Sequence, residues 1–497
     1  MDEISNLVHP DQAGFITKRP IQNQIRLAKA IINYAETTYE NGAIVALDQE
    51  KAYDKIKHDY LWITMDKFGI PRTFTNTVKS LYTNADTMVA INGVFSSPFK
   101  VTRGVRQGDP LSCALFDLAI EPLACRFRSD PRLHGFEIPG SEEKLIASLF
   151  ADDTNLYLNQ TDRMDDVQEI LDEWCQASGA KFNIEKTEII PIGSPKHRNQ
   201  VITTRKLNPL DQTTIDERVR IANDGEAIRS LGAWIGNNTN DETPWEPIID
   251  KMHRSLEFWN KSHPTILGRK LIIQAIVGGH SQFLAMAQGM PKHIETTLIK
   301  MIRNFMWNDS TNPRISLDTL YRPIDEGGLK LLDLTTRNEA IEIMWLKSYL
   351  NLTANHPTWA KITDIIVDAA APRGTDHQAR TNPFIQTWKP CTRGPRAAIL
   401  NEDTKRMLKT GQKYNLTFTT IRLSTRMKEL LPAWYHPGSE NHPTRRPTAR
   451  CLIEVHDATA ITDLIRISAR LRHPPLPRPH VPSKWCNCPD CVRDRLK

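Results

Sequence analysis

Apolar side chains recur every three or four positions through Ile21, Ile25, Ala28, Ile31, Ile32 and Ala35. That spacing predicts an amphipathic helix over residues 21–40, entered through Pro20 and broken at Gly42. The unbroken run Ala43-Ile44-Val45-Ala46-Leu47 reads as a buried strand, and a second helix is expected over 55–68, stopping near Gly69-Ile70-Pro71. Weak alternation across 87–101, around Asn92-Gly93, marks a hairpin. Residues 111–128, after Pro110, read as helix, and 145–158 as two apolar runs around an acidic turn, a second hairpin. A stripe through Met164, Val167, Ile170, Leu171 and Trp174 predicts a helix over 162–177 ending at Gly179, after which 182–192 returns to strand.

Strands and helices mix without a regular β-α-β rhythm, so residues 1–236 are expected to form an α+β domain. Residues 245–350 read as mostly helical, with a turn at Gly327-Gly328. The Pro-rich, polar stretch 353–385 reads as a linker, and Pro-dense stretches at 436–447 and 473–482 flank a short helical segment near the end. No internal repeat is visible.

Composition narrows the class without deciding it. A chain of 497 residues has room for about three domains, and 40% hydrophobic residues can build an ordinary globular core. The net charge of +6 permits a polyanionic partner but does not demand one. The excess is uneven, because eleven Lys/Arg face six Asp/Glu from Leu430 onward. Of the eight cysteines only Cys486, Cys488 and Cys491 cluster, which fits a reducing compartment better than a secreted disulfide framework. The opening MDEISN has neither a basic nor an apolar signal region, and apolar runs such as 271–277 are too short to span a bilayer. An intracellular protein, neither secreted nor membrane-bound, is expected.

Three segments carry candidate chemistry. In Phe150-Ala151-Asp152-Asp153, two adjacent carboxylates sit at the tip of an apolar hairpin. Like charges about 4 Å apart repel by roughly 1 kcal/mol in water and by more when desolvated, which a divalent cation would relieve. Taken alone, such a pair is more often a solvated turn. Asp48 stands at the end of the first strand, where a helix N-cap would also place an Asp. Tyr53, five residues on, would by itself be a core aromatic. Gly104-Val105-Arg106-Gln107-Gly108-Asp109-Pro110 is a bare, tight backbone ahead of a helix, able to approach a nucleotide closely or simply to open the helix through its proline.

In this order and spacing the segments resemble the polymerase motifs of reverse transcriptases, specifically those of non-LTR (LINE-type) retrotransposons, with a fungal-type element in view. LDQEKAYDKI resembles the first catalytic motif, GVRQGDPLS the template- and nucleotide-contacting motif, and FADD the second catalytic motif. HPDQAGFITKRPIQNQI resembles a fingers motif, GAKFNIEKTEII the motif after FADD, LGAWIG the primer grip and RPIDEGGLKLLDL a stretch beyond the thumb. The resemblance is clear over 1–350 and loose beyond. It implies a right-hand polymerase with partial fingers and palm over 1–236, a helical thumb and downstream region over 237–350, a linker and helical segment of unassigned role over 351–430, and a basic, Pro-rich tail over 431–497.

The resemblance also implies roles. Asp48 and Asp152, supported by Asp153, would hold two Mg²⁺ ions. Tyr53 would stack under the sugar and reject a ribose 2′-hydroxyl. Gln107 and Gly108 would line the nucleotide and template side, Lys186 would contact the triphosphate or protonate the leaving group, and Arg19 would touch template or incoming phosphate. The implied partners are an RNA template, a DNA primer and dNTPs, in the nucleus and cytoplasm. Ala151 stands where viral RNA-dependent RNA polymerases usually carry Gly, which with Tyr53 disfavours that class. More fingers sequence precedes HPDQAGF in the family, so an N-terminally truncated element is expected, with an inactive, nucleic-acid-binding remnant as the alternative.

Cys486, Cys488 and Cys491 offer three thiolates to a Zn²⁺ ion and call for a fourth ligand, from His473, His480 or Cys451 or equally from a partner or further downstream sequence. Trp245, Trp259 and Trp307 are expected to pack rather than stack on bases. Arg254, Lys261, Arg269, Lys270, Lys300 and Arg303 either track a nucleic-acid backbone or form a solvated helix face.

Overall fold

A computed structural model describes residues 4–308 apart from 140 and 142, then 315–351, 356–370, 392, 394–414, 416, 429, 431, 433–434, 447–471, 481, 483 and 485–496. The stretch 353–385, expected to be a linker, contains a helix at Thr358–Ala369 before its remaining residues leave the described range, and both Pro-dense stretches, His473 and His480 lie largely or wholly outside it. Two compact units are present: residues 1–341 with 357–362, and 342–356 with 363–497.

At the centre of the first unit is a five-stranded sheet in the order β2-β3-β1-β4-β5. Its strands are β1 (Gly42–Leu47), β2 (Ala147–Phe150), β3 (Asp153–Asn159), β4 (Glu188–Ile192) and β5 (Arg220–Ile221). The apolar run of β1 takes the middle, with antiparallel neighbours on both edges from Gly42↔Asn159 to Leu47↔Thr154 and from Gly42↔Ile192 to Ala46↔Glu188. Only β4–β5 is parallel. Ile44 and Val45 point to opposite faces and both are fully buried, so the strand is covered on each side.

Helix α1 (Ile21–Thr38) follows Pro20 as expected, and Tyr39 closes it in the left-handed region at φ 60°. Helices α2 (His58–Lys67) and α3 (Arg72–Tyr82) come next, then α4 (Ser112–Ser129) and α5 (Met164–Ser178). Helix α4 presents Leu115, Phe116, Ala119, Leu123 and Phe127 to a core shared with Val45, Leu156, Leu158 and Ile189. Each of the leucine, isoleucine, valine and phenylalanine side chains contributes roughly 1.5–3 kcal/mol on full burial. Gly179 ends α5 at φ 80°, where its N–H donates to the Cys175 carbonyl at 2.9 Å.

Several expectations shift. The strand foreseen over 182–192 begins only at Glu188, because Asn183 folds the chain into a short 3₁₀ turn. The Asn183 N–H donates to the Asp48 carbonyl at 2.7 Å and its side chain accepts from Glu185 N at 3.1 Å. The single helix over 55–68 is two pieces, Ala52–Lys55 and α2, and α3 was not foreseen. Helix α6 (Pro195–Thr204) was also not foreseen, although Ser194 caps it and Pro195 opens it. The hairpin around Asn92-Gly93 forms two short ribbons, Ala90–Ile91 with Val94–Phe95 and Asp86–Thr87 with Phe99–Lys100.

Beyond the sheet, LGAWIG makes a small hairpin of Ile228–Ser230 and Ala233–Ile235, turned by Leu231 and Gly232 at φ 53° and 77°. Helices then dominate: α7 (Glu246–Asn260), α8 (Ile266–Ile273), α9 (Gly279–Gln288) and α10 (Lys292–Met306), around buried Trp245, Met252, Val277, Leu298 and Ile302. Trp245 is core, whereas Trp259 is exposed. Arg254, Lys261, Lys300 and Arg303 face solvent; Arg269 is buried and donates to Asn260 Oδ1 at 2.9 Å and the Phe305 carbonyl at 2.5 Å. No helix among the described residues is long and apolar enough to cross a membrane.

In the second unit, α11 (Glu402–Lys413) is capped by Asn401, and α12 (Pro447–Glu454), α13 (Ile461–Leu471) and α14 (Pro489–Arg495) follow.

Candidate active site

Strand register assembles the carboxylates. Leu47 pairs with Thr154 and Phe150 with Asp153, so Asp48, one residue past the end of β1, lies beside the β2–β3 turn that carries Asp152 and Asp153. Directly opposed residues in an antiparallel pair have Cα atoms about 4.5–5.5 Å apart, close enough for side chains to share ions. A further link ties the two segments, since Gln49 Nε2 donates to the Asp152 carbonyl at 3.4 Å.

The turn itself is held from behind by HPDQAGF. Ala13 N–H donates to the Leu149 carbonyl at 2.8 Å and Leu149 N–H to the Asp11 carbonyl at 2.9 Å, an added parallel bridge on the edge of β2. Fully buried Gln12 accepts from Gly14 N–H at 2.7 Å and from Ala151 N–H at 3.1 Å through the same Oε1. Ala151 is in the left-handed region at φ 55°, a conformation that costs an L-residue roughly 1–2 kcal/mol, so an outside tether there is consequential. Any Cβ on Gly14 would lie 2.1 Å from Ala151 N, which is why this position takes glycine.

Burial, with Asp152 and Asp48 nearby, pushes the Asp153 carboxyl up to about 6; burial, and Asp48 to a lesser degree, also raises Asp152. This crowded set of oxygen donors, whose charged forms are disfavoured, is the kind that hard divalent cations suit. Among the described residues, the groups of three ligand atoms within 4.8 Å of one another are made of cysteines and a histidine, and the Asp48, Asp152 and Asp153 trio is spread more widely than that. Lys186 Nζ approaches Asp48 Oδ2 at 3.8 Å while remaining largely exposed.

A cavity of about 580 Å³ is lined by Tyr53, Arg106, Gln107, Gly108, Asp152 and Asp153, together with Phe15, Phe150 and the Leu231-Gly232 turn. Tyr53 stacks on Phe116 with ring centroids 4.5 Å apart, and its hydroxyl is raised by burial and by neighbouring Cys113 and Asp152. The 104–110 loop is pinned to the Tyr53 turn, with Gly104 N–H donating to Ile56 and Val105 N–H to Tyr53, both at 2.7 Å. Gly108 adopts φ 87°, and Asp109 Oδ1 accepts from Leu111 N–H at 2.9 Å at the entry to α4. A larger cavity of about 820 Å³, lined by His9, Glu121, Arg128 and Glu143 among others, contains none of these carboxylates.

Of the residues singled out in the sequence, the structure brings Tyr53, Gln107, Gly108, Asp152 and Asp153 to one cavity and sets Asp48 and Lys186 beside one another. Arg19 is not among the lining residues. Its guanidinium donates to the carbonyls of Ser5 at 2.9 Å and of His9 and Gln12 at 2.7 Å, so it braces the 5–12 segment. Gln12 carries no sequence signal, because its partner Ala151 is 139 residues away and no local spacing announces that contact.

Acidic residues thus meet at the strand tips of a mixed α+β unit, and residues 1–217 match the reverse transcriptase (RNA-dependent DNA polymerase) family. Similar proteins come from mobile elements. The chain is 25% identical over 382 residues, 76% of its length, to the uncharacterized 149 kDa protein of transposon TX1 from Xenopus laevis. It is 29% identical over 197 residues, 39% of its length, to the Pol polyprotein of the type-2 element R2DM from Drosophila melanogaster, and 26% over 191 residues, 38%, to that of the R2 element from Popillia japonica. It spans 27%, 18% and 26% of those three relatives. The first 217 residues are therefore similar to a reverse transcriptase domain, and the similar proteins are those of non-LTR retrotransposons.

Proposed function

We propose that this chain is an RNA-directed DNA polymerase that adds dNTPs to a primer 3′-hydroxyl on an RNA template. The observation that carries the reading is the register that sets Asp48 against the Asp152-Asp153 turn. Asp48, Asp152 and Asp153 would hold two Mg²⁺ ions, which when bound supply activation of the 3′-hydroxyl and charge neutralisation on the triphosphate. The Tyr53 ring, fixed by its stack on Phe116, presents a flat wall to the sugar and leaves no room for a 2′-hydroxyl. Gln107 and Gly108 offer polar atoms and bare backbone to the base pair. Lys186, exposed and near Asp48, is free to swing to a phosphate or leaving group. Helices over 237–350 serve as the thumb, with Arg254, Lys261, Lys300 and Arg303 facing the duplex backbone. The tail cysteines hold Zn²⁺, and the setting is nuclear and cytoplasmic.

Primer extension on an RNA template with Mg²⁺ should give cDNA, with dNTPs strongly preferred over NTPs, and Asp152→Ala should reduce extension to background. Equal product from the variant overturns the assignment. Nucleic-acid binding with no extension under any condition would favour an inactive remnant instead.

A further inference from the structure

Phe15 is an anomaly among the apolar side chains of the catalytic cavity. It is 50% exposed, although its chain neighbours Gly14 and Ile16 are both buried. Its backbone lies in the left-handed region at φ 53°, which a bulky L-residue adopts only when its surroundings impose it. Both neighbours impose it here. Gly14 is pressed against the backbone of Ala151, the residue before the acidic pair, and Ile16 is anchored in the main core. The exposed ring is therefore tied to the acidic turn. It lies 6.4 Å from the ring of Phe150, tilted by 33°, and both rings line the cavity. That is a spacing of direct ring contact, so the pair forms one apolar wall with no slot between its members.

The cavity has two walls, distinguished by what each packs against. Tyr53 and the 104–110 loop rest on the main core through Phe116 and Val105. Phe150 and Ile21 rest instead on a separate cluster of Ile25, Leu231, Ala233 and Ala287. Asp152 and Asp153 line the same cavity as both walls. In-line displacement brings the attacking and leaving oxygens to the metal ions from opposite sides. With Tyr53, Gln107 and Gly108 turned to the incoming nucleotide, the wall of Phe15, Phe150 and the Leu231-Gly232 turn is left for the other reactant. None of these residues is charged, which suits the face of a base rather than a triphosphate. We propose that Phe15 stacks on the terminal base of the primer and so holds its 3′-hydroxyl at the carboxylates, with Phe150 supporting the ring. This assignment rests on the polymerase reading and adds to it the residue that seats the primer end.

The test is steady-state primer extension by the full chain on an RNA template. Phe15→Ala should raise KM for primer–template about tenfold, the size expected for loss of one base–aromatic stack. KM for dNTP and the preference for dNTP over NTP should stay as in the wild type. Phe15→Tyr, which keeps the ring, should restore the primer KM. A primer whose last nucleotide is abasic gives a reading that a purely structural role would not move. It should cost the wild-type chain the same factor and cost Phe15→Ala nothing further. Additive losses from the variant and the abasic primer overturn the contact, and so does a normal primer KM in a Phe15→Ala protein that extends actively. A rise confined to the dNTP KM assigns the ring to the incoming nucleotide and overturns the proposal as well. Absence of extension by the wild-type chain on every primer overturns the polymerase reading together with it, so the two failures are told apart.

Discussion

Gln12 shows how much can hang on one uncharged side chain. Its Oε1 serves two buried N–H groups, one of them on the residue just before the acidic pair. Leucine in its place would fill the space and leave both donors without an acceptor, at about 1–3 kcal/mol each. Gln12→Leu is therefore expected to lower kcat for primer extension much more than it raises KM for dNTP, with the far-ultraviolet spectrum unchanged. An unaltered kcat would show that the turn needs no tether. Asp117 is the opposite case. Both of its carboxylate oxygens are buried without a hydrogen-bond partner, and burial, with Glu121 nearby, pushes the group up to about 8. The folded form thus keeps a proton that the unfolded chain releases near pH 4. Stability from this group is full below that pH and drains away as pH rises toward 8, on the order of a few kcal/mol by neutrality. Asp117→Asn should flatten the pH dependence of urea unfolding and gain stability at pH 8 relative to pH 5; a parallel pH profile for the two proteins would refute this.

Elements were legible from sequence where one face is strongly apolar. The hairpin carrying Asp152 and Asp153, α1, β1, α4 and α5 all follow their hydrophobic patterns to within a few residues. Helix α3 was hidden because its inward stripe is Thr75, Val78 and Tyr82, a single aliphatic among polar neighbours. Helix α6 was hidden because its core contact includes His197 and Arg198, both buried through bonds to distant groups: His197 Nε2 to the Gly42 carbonyl at 3.2 Å, and Arg198 to the Asp224 carboxylate at 2.7 and 2.8 Å. The acidic residues of the site could be read as motifs, but the clamp of 11–14 across β2 could not, being a tertiary pairing. That clamp makes its own prediction. Gly14→Ala forces a Cβ onto the Ala151 backbone, where neither partner is a flexible side chain, so both thermal stability and extension activity should fall together. Normal activity in a stable Gly14→Ala protein would mean the clamp opens during turnover.

Charge organises the whole molecule more than its modest total suggests. Eleven basic residues against six acidic ones after Leu430 leave the preceding 429 residues close to neutral. Non-specific attraction for RNA should therefore reside in the tail, and replacing Arg445, Arg446, Arg466, Arg470, Arg472 and Arg478 by glutamine should flatten the salt dependence of binding. The log–log slope should fall by about 0.7 for each single-strand phosphate contact removed. An unchanged slope would move the attraction to the helical region after the sheet.

The carboxylates that face one another across β1 and β3 are separated by more than a hundred positions along the chain. During synthesis, then, the first aspartate leaves the ribosome long before its companions, and β4, the other flank of the central strand, emerges later still. Until that last strand docks, the central strand lacks one of its two neighbours, and pairing between strands so far apart along the chain is slow to form.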